Sequence, residues 1–182
     1  FFLQPGAQLG LLLDVLAAGD AYGHSTVGAG QRVQVEFVSA NPTGPLHVGH
    51  GRGAAYGSSL ANLLAAAGFE VEREYYVNDA GRQMDILAAS VWLRYLQFQG
   101  EDIVFPSGGY RGDYVNAIAT DFERAVADTF RRPAASVVDG LPADAAAGGD
   151  ADQYLDALIA RAKILLGAVD YGRLHRHGCD TI

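Results

Sequence analysis

Two histidines set three residues apart around a glycine, in His47-Val48-Gly49-His50, are the most chemically loaded spacing in this sequence. On the first turn of a helix such positions are neighbours, so the two imidazoles can address one ligand together. A helix opening also offers unpaired N–H groups and partial positive charge, which suits an anion such as a phosphate. Gly49 removes a side chain where a flat base or a ribose would need to approach the backbone. The same rings can serve simply as caps or packing groups, and a four-residue pattern recurs by chance across many proteins. The preceding Ser39-Ala40-Asn41-Pro42-Thr43-Gly44-Pro45-Leu46 is far more particular, a turn holding two prolines directly ahead of the histidines. Further upstream, Glu36 lies on the opposite strand face from Val35 and Phe37. A carboxylate there suits a two-pronged pair with a guanidinium, and equally an ordinary solvated position.

The elements that must position these residues follow from periodicity. Arg32–Ser39 alternates apolar Val33, Val35 and Phe37 with polar partners, the pattern of a strand. Leu60, Leu63, Leu64 and Ala67 form a helical stripe over residues 48–67, with Gly68 as its C-terminal stop. A second strand runs from Phe69 to Val77, so strand, helix and strand form a βαβ unit with parallel strands, which places His47 and His50 at a strand's carboxyl end, where open α/β sheets bind ligands. Asn78 and Asp79 can cap a further helix in which Met84, Leu87, Val91, Tyr95 and Phe98 share one face. Ahead of the βαβ unit, Leu9, Leu12, Leu13, Leu16 and Ala17 predict a helix over residues 7–19 that buries one face.

Beyond Gly100 the pattern is helical, over residues 111–131 and 154–167, with no strand of comparable strength between. Residues 133–152 are rich in Ala, Gly, Pro and Asp and carry no Lys or Arg, a composition that buries little and reads as a mobile linker. The expected fold is therefore α/β, the first half of a Rossmann-like parallel-sheet nucleotide-binding domain with a helical insertion. Residues 1–30 read as the tail of an N-terminal domain and a linker, 31–99 as the half-domain, 100–168 as the insertion and 169–182 as a return segment toward the catalytic domain.

Composition excludes several classes. The chain has 182 residues, 49% apolar and 19% charged, without the roughly 18-residue apolar run that spans a bilayer, so no membrane partner is expected. A net charge of −8 rules out nucleic-acid binding by bulk positive charge, so any RNA contact must be local. Cys179 is the only cysteine, which forbids an intrachain disulfide and fits a cytoplasmic protein. His175, His177 and Cys179 have ligand-like spacing, yet no protein-bound metal is expected. Arg52 reads either as a phosphate contact or as a solvent-facing residue, and Tyr75-Tyr76 as core and strand edge.

Taken whole, Ser39–His50 resembles the HIGH-region signature of class I aminoacyl-tRNA synthetases, in the version typical of bacterial arginyl-tRNA synthetases, and Glu74-Tyr75-Tyr76-Val77-Asn78-Asp79-Ala80-Gly81-Arg82-Gln83 resembles the next strand-to-helix junction of that family. The clear likeness covers about residues 32–99. It implies that His47, Gly49 and His50 line an ATP site, that His47 and His50 are catalytic, and that Ser39, Asn41 and His50 bind L-arginine, with Asn41 accepting from the α-ammonium; Ala40 within the signature, and Glu36 from its place at the ligand edge of the strand, are expected in the same arginine site. It also implies ATP with Mg2+ as a substrate complex, tRNA(Arg) as partner, and a monomeric parent protein.

Class I synthetases usually carry a second, lysine-rich signature of the Lys-Met-Ser-Lys-Ser type, and the single lysine here, Lys163, sits in a helical run. The expectation is therefore a partial, inactive piece of an arginine–tRNA ligase. Two alternatives stay open: a small nucleotidyltransferase of the same His-x-Gly-His superfamily, and a non-catalytic module whose residues 100–168 form a helical docking surface.

Overall fold

Alternation of Val33 and Val35 with Arg32, Gln34 and Glu36 produces a strand, β1 (Arg32–Glu36), in the structure, a computed structural model that describes residues 4–182. Ahead of it runs α1 (Pro5–Ala18), and after it come α2 (Val48–Ala66) and β2 (Glu70–Glu74). β1 and β2 pair in parallel, from Arg32 beside Glu70 to Glu36 beside Glu74, and the amide of Phe37 extends the ladder to the Glu74 carbonyl at 3.2 Å. The rest is helical: α3 (Arg82–Phe98), α4 (Asp113–Val126), α5 (Ala134–Val138) and α6 (Ala151–Asp180). No helix among the described residues is long and apolar enough to cross a membrane.

Packing divides the chain into two units. The first holds the residues up to Ser39 together with His47–Tyr76; the second holds Ala40–Leu46 together with Val77–Ile182. In the first, α2 lies on the strand pair and comes closest at Gly57. A methyl group there would stand 2.3 Å from Cγ and 2.4 Å from Cβ of Phe37, atoms too near the backbone to swing aside. Helix propensity favours Ala over Gly by about 1 kcal/mol, whereas forcing extra atoms into packed space costs about 1–3 kcal/mol. Gly57→Ala is therefore expected to lower the urea midpoint of the chain followed by far-UV circular dichroism; a raised midpoint would mean the helix can step away from Phe37.

Two apolar faces in this unit are not covered as expected. Leu9, Leu12, Leu13 and Leu16 of α1 are all more than half exposed, and on α2 Leu63 is exposed while Gly57 and Ala61 are buried. A sheet of two strands offers too little surface to bury two helices, so the predicted stripes exist without a matching face.

The second unit holds a true core. α3 is buried nearly all round, the signature of a central helix. Trp92, Leu93 and Leu96 join the expected Met84, Leu87, Val91 and Tyr95, while Phe98 turns out to be exposed. α4 contributes Val115, Ile118, Ala119, Phe122 and Val126 at i, i+3, i+4, i+7 and i+11, and α6 packs along α3. Trp92 Nε1 donates to the Phe130 carbonyl at 3.0 Å and Tyr95 Oη to that of Ala127 at 2.6 Å, so both buried aromatic donors are satisfied.

Residues 133–152, expected to bury little, contain α5, whose Val137 is fully buried, and Arg161 donates to the carbonyls of Ser136 and Asp139. Val137, with Ala134, Val138 and Leu141 packed beside it, seats the segment on the helical core. Residues 169–182, expected as a return segment, continue α6 beyond a break at Gly167 (φ 73°) and put Tyr171 and Leu174 into the same core. Lys163 before the break and Tyr171 after it both bind Asp85 of α3, at 3.0 and 2.8 Å. Burial, reinforced by that carboxylate, pushes the Tyr171 hydroxyl well above the usual phenol range.

Candidate active site

The first unit contributes the end of β1 through Ser39 and the opening of α2 at His47. Directly after the strand, Val38 (φ 71°) and Ser39 (φ 32°) both take left-handed backbone, which a β-branched valine adopts only under constraint. Such strain costs on the order of 1–3 kcal/mol per residue and persists where surrounding structure enforces it. Part of the enforcement is visible, since Ser39 Oγ accepts from the amide of Tyr76 at 3.0 Å, just past β2. Glu36 ends β1 exposed, side by side with Glu74 in the parallel register, and no cation is seated on it among the described residues.

His47 is the N-cap of α2, its Nδ1 accepting from the amide of Gly49 at 3.1 Å, while Nδ1 of His50 accepts from the amide of His47 at 3.1 Å. The rings stack with centroids 3.9 Å apart. A neutral imidazole that accepts at one nitrogen carries its proton on the other. Each Nε2 is thereby left as an N–H donor at the positive end of the helix dipole, while the amides of His47 and Gly49 are taken up by the rings themselves. Gly49 has a specific part here, because a Cβ would stand 2.8 Å from Cε1 of His47 and prevent that ring from folding back. The space reserved by the glycine thus holds the histidine itself. Of the two roles that the sequence left open, capping is the one the geometry displays, and it leaves the second nitrogen of each ring unused by the cap.

The second unit carries the turn 40–46 and the junction 77–83. The side chain of Asn41 is gripped at both ends: its Oδ1 accepts from Asn78 Nδ2 at 2.9 Å, and its Nδ2 donates to Gln83 Oε1. Tyr114 of α4 donates its hydroxyl to the Thr43 carbonyl at 2.7 Å and fills the space over Gly44, and the Tyr110 side chain bonds to Thr43 as well. Burial raises both phenols above their ordinary value. Asn78 and Asp79 therefore do not cap α3, whose N-cap is Gly81; Asn78 is spent on Asn41. The neighbouring Arg82 binds Asp156 and Asp152 of α6 at 2.8 and 2.9 Å, which anchors the start of α3 and raises the guanidinium's pKa further. The contacts of Asn78, Gln83 and Tyr114 with the turn escaped the sequence reading, since no local spacing signals a contact between residues 37 to 71 positions apart.

Among the described residues no three His, Cys, Asp or Glu side chains are placed to hold a metal. His175 Nδ1 and Cys179 Sγ lie 3.7 Å apart, the thiol raised by burial, whereas His177 packs against Phe122.

A parallel β-α-β unit whose helix opens on two stacked, capping imidazoles has the arrangement of the first half of a Rossmann-like nucleotide-binding domain. Residues 12–104 match the family model described as tRNA synthetases class I (R), catalytic domain, and the chain belongs to that family. Arginine–tRNA ligases from Thioalkalivibrio sulfidiphilus and Legionella pneumophila are 57% and 53% identical to it over 181 and 182 residues. Each alignment takes in all of this chain and 31% of the relative's own length. A crystal structure described as that of an arginyl-tRNA synthetase from Campylobacter jejuni superposes with a TM-score of 0.60 at 27% identity, over 90% of this chain and 33% of that one.

Proposed function

We propose that this chain is the signature-bearing part of an arginine–tRNA ligase, in which His47, Gly49 and His50 receive ATP while Ser39, Ala40, Asn41, Glu36 and His50 receive L-arginine. In the first step the arginine carboxylate attacks the α-phosphorus, a new O–P bond forms, the bond to the β-phosphate breaks, and pyrophosphate leaves with its electron pair. In the second, a hydroxyl at the 3′ end of tRNA(Arg) attacks the arginyl carbonyl and AMP departs. Little covalent work falls to the protein in such a transfer, so positioned donors that meet phosphoryl charge matter most. The observation that carries the reading is that Nδ1 of both His47 and His50 accepts a backbone amide, which leaves each Nε2 free to donate.

Asn41, with an oxygen able to accept a second hydrogen bond, suits an α-ammonium, and Glu36 beside Glu74 supplies negative charge that suits a guanidinium. Mg2+ enters with ATP as the substrate complex, and a lone cysteine agrees with a reducing, cytoplasmic setting for a monomeric enzyme. The test is ATP–pyrophosphate exchange by the full-length protein containing this chain, in the presence of tRNA. Exchange is expected with L-arginine and not with other amino acids. Pyrophosphate release supported instead by a substrate that is not an amino acid, with no need for tRNA, would favour the small nucleotidyltransferase reading.

A further inference from the structure

Asn41 sits in the middle of a row of three side-chain amides, Asn78 to Asn41 to Gln83, in which every hydrogen bond runs in one direction. Asn78 Nδ2 donates to Asn41 Oδ1, and Asn41 Nδ2 donates to Gln83 Oε1. An amide has two ends that differ only in polarity, so a free asparagine at the head of a flexible turn would offer oxygen and nitrogen almost equally. A row of three amides is self-consistent in either sense, and the sense adopted decides which end of Asn41 is left to face a ligand with spare capacity. The turn that bears Asn41 is itself held by Tyr114 on the Thr43 carbonyl, which removes the remaining freedom of the backbone.

We propose that Asn78 and Gln83 are positioning residues that lock the amide of Asn41 in one polarity, its oxygen held toward Asn78 with one lone pair left for a cationic ammonium group. This rests on the reading of Asn41 as the receiver of the arginine α-ammonium. Neither residue touches substrate; each acts through Asn41. The lock has a signature that general support of the fold lacks, because its two ends require opposite chemistry. Position 78 must donate, whereas position 83 must accept. A carboxylate is nearly isosteric with a carboxamide and only accepts. Gln83→Glu therefore preserves the row, and Asn78→Asp sets two acceptors against each other and turns the Asn41 amide over. Added negative charge alone would draw a cationic substrate closer in both variants, so charge predicts the same sign at both positions and the lock predicts a split.

The experiment is steady-state arginine activation by the full-length protein, with KM for arginine and for ATP measured separately. Asn78→Asp is expected to raise KM for arginine about 10- to 100-fold, the range of one hydrogen bond to a charged group, with KM for ATP unchanged. Gln83→Glu is expected to stay within about threefold of the parent, well under the tenfold that such a bond represents. Equal effects at the two positions, or the reverse split, overturn the proposal. If Asn78→Asp does not fold, the exposed position 83 decides alone: Gln83→Leu should raise KM for arginine and Gln83→Glu should restore it, and a leucine variant indistinguishable from the parent overturns the lock. Asn41→Ala separates the two levels. Unchanged arginine KM in that variant removes the role of Asn41, whereas a raised KM without the split at 78 and 83 removes only the lock.

Discussion

Replacing His47 with asparagine is expected to leave α2 capped and to slow adenylate formation in the full-length protein by about 10²–10³-fold, the usual cost of deleting one donor aimed at developing charge. Asparagine is among the best N-cap residues, so its side-chain oxygen can take over the Gly49 amide that Nδ1 of His47 now holds. What it cannot supply is the second ring nitrogen. The variant thus separates two duties that one imidazole performs. An N-cap lost outright costs about 0.5–2 kcal/mol, whereas a cap replaced should leave the unfolding midpoint where it was. Turnover that survives in His47→Asn, with the midpoint unchanged, would reduce both rings to helix caps and remove the main support for phosphate binding at this turn.

Phe122→Ala is expected to destabilise the helical unit by about 3–5 kcal/mol, a large part of what a domain of this size possesses. Phe122 is 1% exposed and meets Tyr95 and Phe130 edge-on at 5.7 and 4.9 Å, with His177 on a further side at 5.2 Å. Tyr95 and Trp92 are tied by hydrogen bonds to the stretch that follows α4, so neither can slide inward to fill the space. Trp92 is the only tryptophan and is itself buried, so its fluorescence in a urea titration reads this unit directly. A loss below about 1 kcal/mol would mean that the surrounding rings collapse into the void and that the core is less fixed than its hydrogen bonds indicate.

The parts of this architecture that were legible in the sequence are those governed by neighbours along the chain. Alternating Val33 and Val35 specified β1, Gly68 marked the end of α2, and His47 with His50 announced a helix opening; each depends on two to four consecutive residues. Burial was less legible. The stripes of α1 and α2 were read correctly as apolar, but a stripe states only that a surface is needed, and Leu9 through Leu16 have none in the described structure. In α3 the opposite happened: one face was expected, and packing between α4 and α6 buried Trp92, Leu93 and Leu96 as well. At the candidate site the residue types were visible and the partners were not. Nothing near Asn41 in the sequence announces Asn78, Gln83 or Tyr114, because those contacts exist only once α3 and α4 have folded.

The bend at Gly167 has a chemical corollary. The one lysine of the chain, Lys163, binds Asp85 from one side of that bend while Tyr171 binds it from the other. Acylation of Lys163 therefore takes the cation from Asp85 while the phenol remains. Modification of that one amine loosens the contact on one side of the bend and leaves the tyrosine's bond on the other.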